Sequence, residues 1–334
     1  MKVVKYLYLA LGIALFAVVL AAFDFDAALD LAVKAGWLGV VGLCATYGTV
    51  FLMDCSGWLM TVPSVPGTPR WWLRFSWIRL IGEAFNMVIP AGTFGGEPLK
   101  AAMLKSRYGV SYREVTASVV LIRTIWLIAQ LVFVLAMAVP LLATDRLPDA
   151  SKASIALGIL ILAAMTSALV MLPRLRLSSR MGRWLGGRGW RRRIADSLHH
   201  VEDVEGRASG FHREHSGRYW TALLLSVAKW FLGAGEVWLA LWLIGHPVGV
   251  LEALMIEAVI QLVRTISFFI PSNLGTQDAA YTLMVAAFTG VPTAGLGAAL
   301  LRRLREVLFI AAGFLAGARS AYPLRRTGAP PGAA

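Results

Sequence analysis

Long apolar blocks, each near the thickness of a bilayer, are separated along this chain by short polar intervals. Six read as helices that cross a membrane: Tyr6–Phe23, Ala35–Met53, Val115–Leu142, Ser154–Leu172, Tyr219–Ile244 and Ala294–Ala318. About 20 consecutive apolar residues suffice for each crossing. Two further stretches are interrupted. Trp71–Ile89 carries Arg74, Arg79 and Glu83, and the segment after it, 97–107, carries Lys100 and Lys105. Leu251–Ile270 and Asp278–Phe288 repeat that form. Non-helical backbone at membrane depth is tolerated where protein or a wet cavity surrounds it. The pattern therefore predicts an all-α polytopic membrane protein with six full spans and two re-entrant hairpins, over about 71–107 and 251–290. If each hairpin arm spans instead, the helix count rises by four.

The two interruptions resemble each other. Ile89-Pro90-Ala91-Gly92-Thr93-Phe94-Gly95-Gly96-Glu97 superposes on Ile270-Pro271-Ser272-Asn273-Leu274-Gly275-Thr276-Gln277-Asp278 at an offset of 181. The same offset places Met103 on Met284, Gly109-Val110 on Gly290-Val291 and Ala117 on Ala298. Each copy reads apolar helix, proline, glycine-rich break, acid, short helix, Gly-Val turn, long apolar helix. Pro90, Gly92, Gly95, Gly96, Pro271 and Gly275 are the helix-breaking residues. Paired broken segments in the two halves of a membrane chain point to a transport site at the repeat interface. The repeats are expected over 35–142 and 219–318.

Composition agrees with this reading. The chain is 58% hydrophobic and 15% charged, against roughly 25% charge in soluble domains. The first apolar run lacks a convincing small-residue cleavage site and reads as a retained helix. The net charge of +13 in a soluble protein would suggest nucleic acid. Here eleven Arg and five acids fall between Arg174 and Arg218, the signature of a cytoplasmic loop. That loop suits anionic lipid headgroups, and Ile194, Leu198, Val201 and Val204 give it an amphipathic stretch. Lys2 and Lys5, the basic group Arg70, Arg74 and Arg79, and Arg319, Arg325 and Arg326 also lie on the cytoplasmic side. Both termini, including the tail 319–334, are then cytoplasmic. Hairpin one opens inward and hairpin two outward, so the repeats are inverted. Most Trp, such as Trp71, Trp72, Trp77, Trp184, Trp190 and Trp220, flank span ends as interfacial anchors. Cys44 and Cys55 have no framework spacing. His199, His200, His212 and His215 fall in the Arg-rich loop without a metal-ligand order, and no nucleotide loop or serine elbow occurs. No metal, cofactor or enzymatic activity is expected.

Ionisable residues at membrane depth are costly and either functional or paired. The candidates are Glu83, Glu97, Arg123, Lys229, Glu236, Glu257, Arg264, Asp278, Arg302, Arg303, Arg305 and Glu306. Glu97 and Asp278 are repeat-equivalent, and Arg123 maps onto Leu304, between Arg303 and Arg305. Arg suits bidentate binding of phosphate or carboxylate. Glu97–Arg123 and Asp278 with Arg303 or Arg305 form either substrate contacts or internal ion pairs. Glu97 and Asp278 also sit where a helix N-terminus accepts a cap. Lys229 either pairs with another helix or snorkels to the surface.

Asn86-x3-Pro90-Ala91-Gly92-x2-Gly95-Gly96-Glu97-x2-Lys100, then Gly109-Val110-Ser111 and Arg123, resemble the first core motif of the lysylphosphatidylglycerol synthase transmembrane-region family, also described as flippase-like integral membrane proteins. Pro271, Leu274, Gly275 and Asp278 resemble the second, with Gln277-Asp278 where the family often has Val-x-Glu. The resemblance implies a bacterial inner-membrane protein that handles lipid. It adds Asn86 and Lys100 to the substrate-binding or gating candidates, which also include Asn273 of the second break. The soluble aminoacyl-transferase half of the two-domain members has no counterpart here, and in length the chain is similar to a stand-alone branch associated with hopanoid biosynthesis. The expected function is translocation of an amphiphilic lipid or lipid-linked intermediate by alternating access. The alternative is a non-transporting accessory protein for a lipid-biosynthesis enzyme, docked through the Arg-rich loop.

Overall fold

The computed structural model describes residues 25–88, 96–174, 210–270 and 273–321. Every long element is a helix, and no strand occurs among the described residues. In chain order the helices are α1 (Phe25–Lys34), α2 (Gly36–Met60), α3 (Pro69–Val88), α4 (Glu97–Tyr108), α5 (Tyr112–Ala143), α6 (Asp149–Arg174), α7 (Ser216–Leu243), α8 (Val250–Ile266), α9 (Thr276–Thr289) and α10 (Pro292–Ala321). The Tyr6–Phe23 run, Pro90, Gly92, Gly95, Pro271, the amphipathic 194–204 stretch, Trp184, Trp190, His199, His200 and nearly all of the tail lie outside the described residues.

Local chemistry sets the boundaries. The α4 helix ends at Gly109 and α9 at Gly290, both left-handed with φ near +70°, a conformation that favours glycine. Ser111 then caps α5 by accepting from the Glu114 amide at 3.2 Å, and Pro292 occupies the first turn of α10, where a missing N–H costs nothing. The expected Gly-Val turns are thus C-caps that hand a short helix to a long one.

Helix starts at 36, 69, 97 and 112 recur at 216, 250, 276 and 292. Packing follows the same rhythm. The most extensive pair is α2 with α7, the leading helix of each half. Then α3 packs on α10, and its counterpart α8 packs on α5, so each half's first hairpin arm rests on the other half's last helix. Glycine makes one of these crossings close: a Cβ on Gly313 would come within 2.5 Å of the Leu80 carbonyl oxygen and 2.6 Å of the Ala84 Cβ. The α6 helix stands outside this scheme and leans on α5 and α8.

Four helices have the length and apolarity to cross a membrane: α2, α5, α6 over 149–171, and α7. At most 39% of any of these apolar windows is buried within the protein. The remainder faces outward, including Trp37, Leu38, Val139, Leu160 and Leu224, as lipid-facing surface does. The chain is an integral membrane protein. The α10 helix is as long as these but carries Arg302, Arg303, Arg305 and Glu306 at its middle. At a rise of ~1.5 Å per residue, α4, α8 and α9 fall short of the ~30 Å hydrocarbon core.

Three sequence expectations need correction. Residues 25–34, left between the first two expected spans with no element assigned, form α1 and pack on α10. Arg79 is not part of a solvated basic cluster beside Arg70 and Arg74; it is 6% exposed and paired inside the protein. Trp58 is buried, and Trp126 and Trp230 carry cations on their rings, so some Trp serve the interior rather than the interface.

Candidate functional site

The first break lies between α3 and α4. Asn86, near the end of α3, accepts a 2.6 Å hydrogen bond from the Gly96 amide through Oδ1. That bond ties the arms together across the interrupted backbone. Close packing assists: a Cβ on Gly96 would sit 2.0 Å from the Gly82 carbonyl oxygen. Gly82 in turn leaves room for the Lys100 stem, whose carbons would lie within 2.6 Å of a Cβ there. Glu97 opens α4, with Lys100 Nζ at 2.9 Å and Arg123 Nη2 at 2.7 Å from its Oε1. Lys100 is buried, whereas Glu97 and Arg123 keep partial exposure.

The second break is built alike with different residues. Ser267, the residue after α8, occupies the place of Asn86. Its hydroxyl accepts from the Asn273 side-chain amide at 2.8 Å and meets Thr276 Oγ1 at 3.1 Å. Asn273 is left-handed at φ 48°, the one non-glycine residue of the described chain with positive φ. Asp278 caps α9 by accepting from the Gly275 amide at 2.9 Å. The same carboxylate takes Arg303 in bidentate fashion, Nε to Oδ1 at 3.0 Å and Nη2 to Oδ2 at 2.8 Å. Arg303 also donates to the Asn273 carbonyl at 3.3 Å and to Glu306 at 2.9 Å. One guanidinium thus holds the break from α10, as Arg123 holds the first from α5.

Of the two arginines weighed for Asp278, the structure pairs Arg303. Arg305 goes elsewhere: it forks onto Glu236 of α7 at 2.7–3.0 Å and stacks over the Tyr47 ring at 3.8 Å. Arg302 bonds Glu257 at 3.1 Å and the Tyr281 hydroxyl at 3.3 Å. Lys229 does not snorkel. Its Nζ bonds Asp54 of α2, which also holds Arg79 at 3.0 Å. This Asp54 centre was missed from sequence, although an acid inside an otherwise uncharged apolar block is itself the signal. Arg79, Arg123 and Lys229 all stand within 5 Å of the Trp126 ring. Gln277, next to Asp278, is sealed with neither amide atom hydrogen-bonded. Ten of the twelve depth-charge candidates are therefore partnered. Glu83 and Arg264 form no side-chain hydrogen bond or ion pair among the described residues.

At the end of the Arg-rich segment, Arg218 is half-buried. It caps the carbonyls that end α2, donating to Leu59, Pro63 and Val65 at 2.8–3.3 Å. The His212 and His215 rings lie against Tyr219 and Phe211.

This arrangement is an electrostatic latch at each of two breaks. Each latch is an acid from a short helix and an Arg from the following long one. A profile described as the lysylphosphatidylglycerol synthase TM region matches residues 7–313. No curated protein and no solved structure matches the chain.

Proposed function

The chain belongs to the lysylphosphatidylglycerol synthase TM region family, and from that premise we propose that it is a lipid translocase, moving an amphiphilic lipid or lipid-linked intermediate between leaflets of the bacterial inner membrane by alternating access. The observation that carries the proposal is the repeated latch, Glu97–Arg123 at one break and Asp278–Arg303 at the other. A translocase needs a polar route for the headgroup and two barriers that yield in turn. The latches lie on elements that recur in the two halves, and inverted repeats put equivalent elements at opposite faces. Arg123 and Arg303 retain partial exposure, so an incoming phosphate competes with the resident carboxylate for the same guanidinium. Displacing the acid frees the break, and departure of the lipid restores the pair. The Glu236–Arg305 pair is buried on both sides and the two cations on Asp54 are buried; both centres belong to the frame against which the hairpins rock. The breaks at Gly96 and Gly275 supply the non-helical backbone at which an arm turns.

The test is leaflet exchange in proteoliposomes holding fluorescent lipids of several headgroups, read by outer-leaflet quenching. The native chain exchanges lipid above empty vesicles. Glu97→Gln and Asp278→Asn lose that exchange while remaining in the membrane at near-native abundance. Loss of abundance parallel to loss of exchange would make the latches purely structural. No exchange of any lipid, with or without an imposed proton gradient, would remove the translocase reading.

A further inference from the structure

Two arginines at the outer end of the first hairpin keep their N–H donors uncommitted. Arg70 and Arg74 lie one turn apart on α3, and neither makes a hydrogen bond or an ion pair among the described residues. With Thr68, Pro69 and Trp71 they line a cleft of about 600 Å³ that contains no acid. Arg70 is exposed and Arg74 half-buried. Arg79, deeper on the same helix, is by contrast held by Asp54 at 3.0 Å.

Arg74 is nonetheless fixed in place. Its guanidinium stands 4.7 Å from the centre of the Trp71 ring and 4.7 Å from that of Tyr108. The two rings meet edge to face at 5.3 Å, one from the first turn of α3 and the other from the last residue of α4. Behind them the wholly buried Phe75 packs on Trp71 at 6.4 Å and on Trp58 of α2 at 4.6 Å. A guanidinium braced by aromatic rings holds its fork of donors in a set plane. The result is a bidentate donor without an acceptor, beside a second one on Arg70. Phosphate is the group that such a fork receives.

The surroundings narrow the kind of phosphate. No carboxylate lines the cleft, and Arg74 already engages Trp71 and Tyr108, so the lining offers no partner to a headgroup ammonium. Beyond the cleft the same side of α3 turns apolar. Leu73 is 61% exposed and Trp77 39%, and 70, 73, 74 and 77 follow helical spacing. A headgroup in the cleft therefore has an apolar track beside it for acyl chains.

We propose that this cleft binds an anionic phospholipid of the cytoplasmic leaflet, its phosphate held by Arg74 and Arg70 and its chains lying along Leu73 and Trp77. Positive residues keep to the cytoplasmic side, which sets the leaflet. Lys105, in the last turn of α4, adds charge at the same end of the hairpin. The site is separate from the Glu97–Arg123 latch, which lies where α4 begins, and it does not depend on the translocase reading. Because Arg74 of α3 touches Tyr108 of α4, a lipid bound there braces the open end of the hairpin.

The test uses the full chain in detergent micelles. Short-chain phosphatidylglycerol, short-chain phosphatidylcholine and glycerol phosphate are titrated separately. The thermal midpoint is followed, since a ligand bound only by the folded chain raises it. Each rise is measured from the same variant's ligand-free midpoint. Phosphatidylglycerol raises the native midpoint saturably, and the other two do not at the same concentration. Arg74→Gln and Arg70→Gln each raise the phosphatidylglycerol concentration for half effect by about tenfold, as loss of a charge-assisted bond does. Arg74→Lys keeps the charge without the fork and behaves as Arg74→Gln does. Arg213→Gln, which removes an exposed charge from the Arg-rich segment, leaves the titration unchanged. An Arg213→Gln loss equal to that of Arg74→Gln would reduce the effect to diffuse attraction and overturn the site. An equal native response to phosphatidylcholine would overturn the anionic selectivity. An equal response to glycerol phosphate would make this a soluble-phosphate site and overturn the lipid assignment. No saturable response to phosphatidylglycerol would end the proposal. If Arg74→Gln does not fold, Arg70→Gln, whose native side chain is exposed, carries the same comparison.

Discussion

At the residue scale, Asp54 bears the heaviest electrostatic demand. It is a single carboxylate in an apolar helix, and two cations, Arg79 and Lys229, converge on it from α3 and α7. Neutralising it leaves both cations buried against the Trp126 face without a counter-charge. Removing one partner of a buried pair typically costs ~3–5 kcal/mol. Asp54→Asn is therefore expected to lower the thermal midpoint in detergent more than Lys229→Met does, because the latter removes one cation and leaves Arg79 paired. The double variant should be more stable than Asp54→Asn alone. A thermal series on the three proteins checks the order, and an Asp54→Asn protein as stable as native would show that the centre contributes nothing to the frame. Sequence reading found Glu97–Arg123 and offered Asp278–Arg303 because both lie in interrupted stretches whose charges invite explanation. It passed over Asp54 because the expected span, Ala35–Met53, stopped one residue short of it, whereas the helix runs on to Met60. The partner Lys229 is 175 residues away, at a spacing that no periodicity connects.

At the element scale, the hairpins depend on backbone approach more than on side-chain burial. Gly96 and Gly82 let α3 and α4 touch, and a methyl group on Gly96 would lie 2.0 Å from the Gly82 carbonyl oxygen. No flexible side chain is available to yield there, so the arms must part. Gly96→Ala is expected to destabilise by at least the ~1–3 kcal/mol of an overpacked core, with loss of the Asn86 tie. Gly109→Ala is the control. Gly109 has φ +70° but open space around its Cβ position, so only the left-handed strain of ~1–2 kcal/mol applies. Comparing the two thermal midpoints, together with protease sensitivity near the break, checks the ranking; a Gly109 variant worse than the Gly96 variant would place the constraint at the turn instead. The short helices and their breaks were legible because Pro, Gly and an acid recur in one order. The bonds that close the breaks were less so. Asn86 was marked, but its counterpart Ser267 shares neither its amide nor its size, and a hydroxyl at a helix end carries little signal.

At the scale of the whole molecule, the pairing of helices has the form a two-fold relation produces. The leading helices α2 and α7 pack on each other, and the cross-packing of α3 on α10 is answered by α8 on α5. Such a pattern arises whether the halves run parallel or inverted, so the direction must come from charge. The loop after α2 is followed by Arg70 and Arg74, whereas the equivalent loop after α7, residues 245–249, holds no Lys or Arg. Positive residues stay on the cytoplasmic side, from which we propose that the two loops face opposite compartments and the halves are inverted. Single cysteines settle it. In a chain carrying Cys44→Ser and Cys55→Ala, Ser64→Cys and Pro247→Cys each place one thiol on an exposed loop position. In intact cells a membrane-impermeant maleimide should label Pro247→Cys and not Ser64→Cys. In inside-out vesicles the order should reverse. Labelling of both from one side would make the halves parallel, place both breaks at the same face, and leave the two latches unable to act as alternate gates. The opposite-side result would put Glu97–Arg123 and Asp278–Arg303 toward opposite faces of the membrane, where opening one latch while the other holds admits a headgroup from one leaflet at a time.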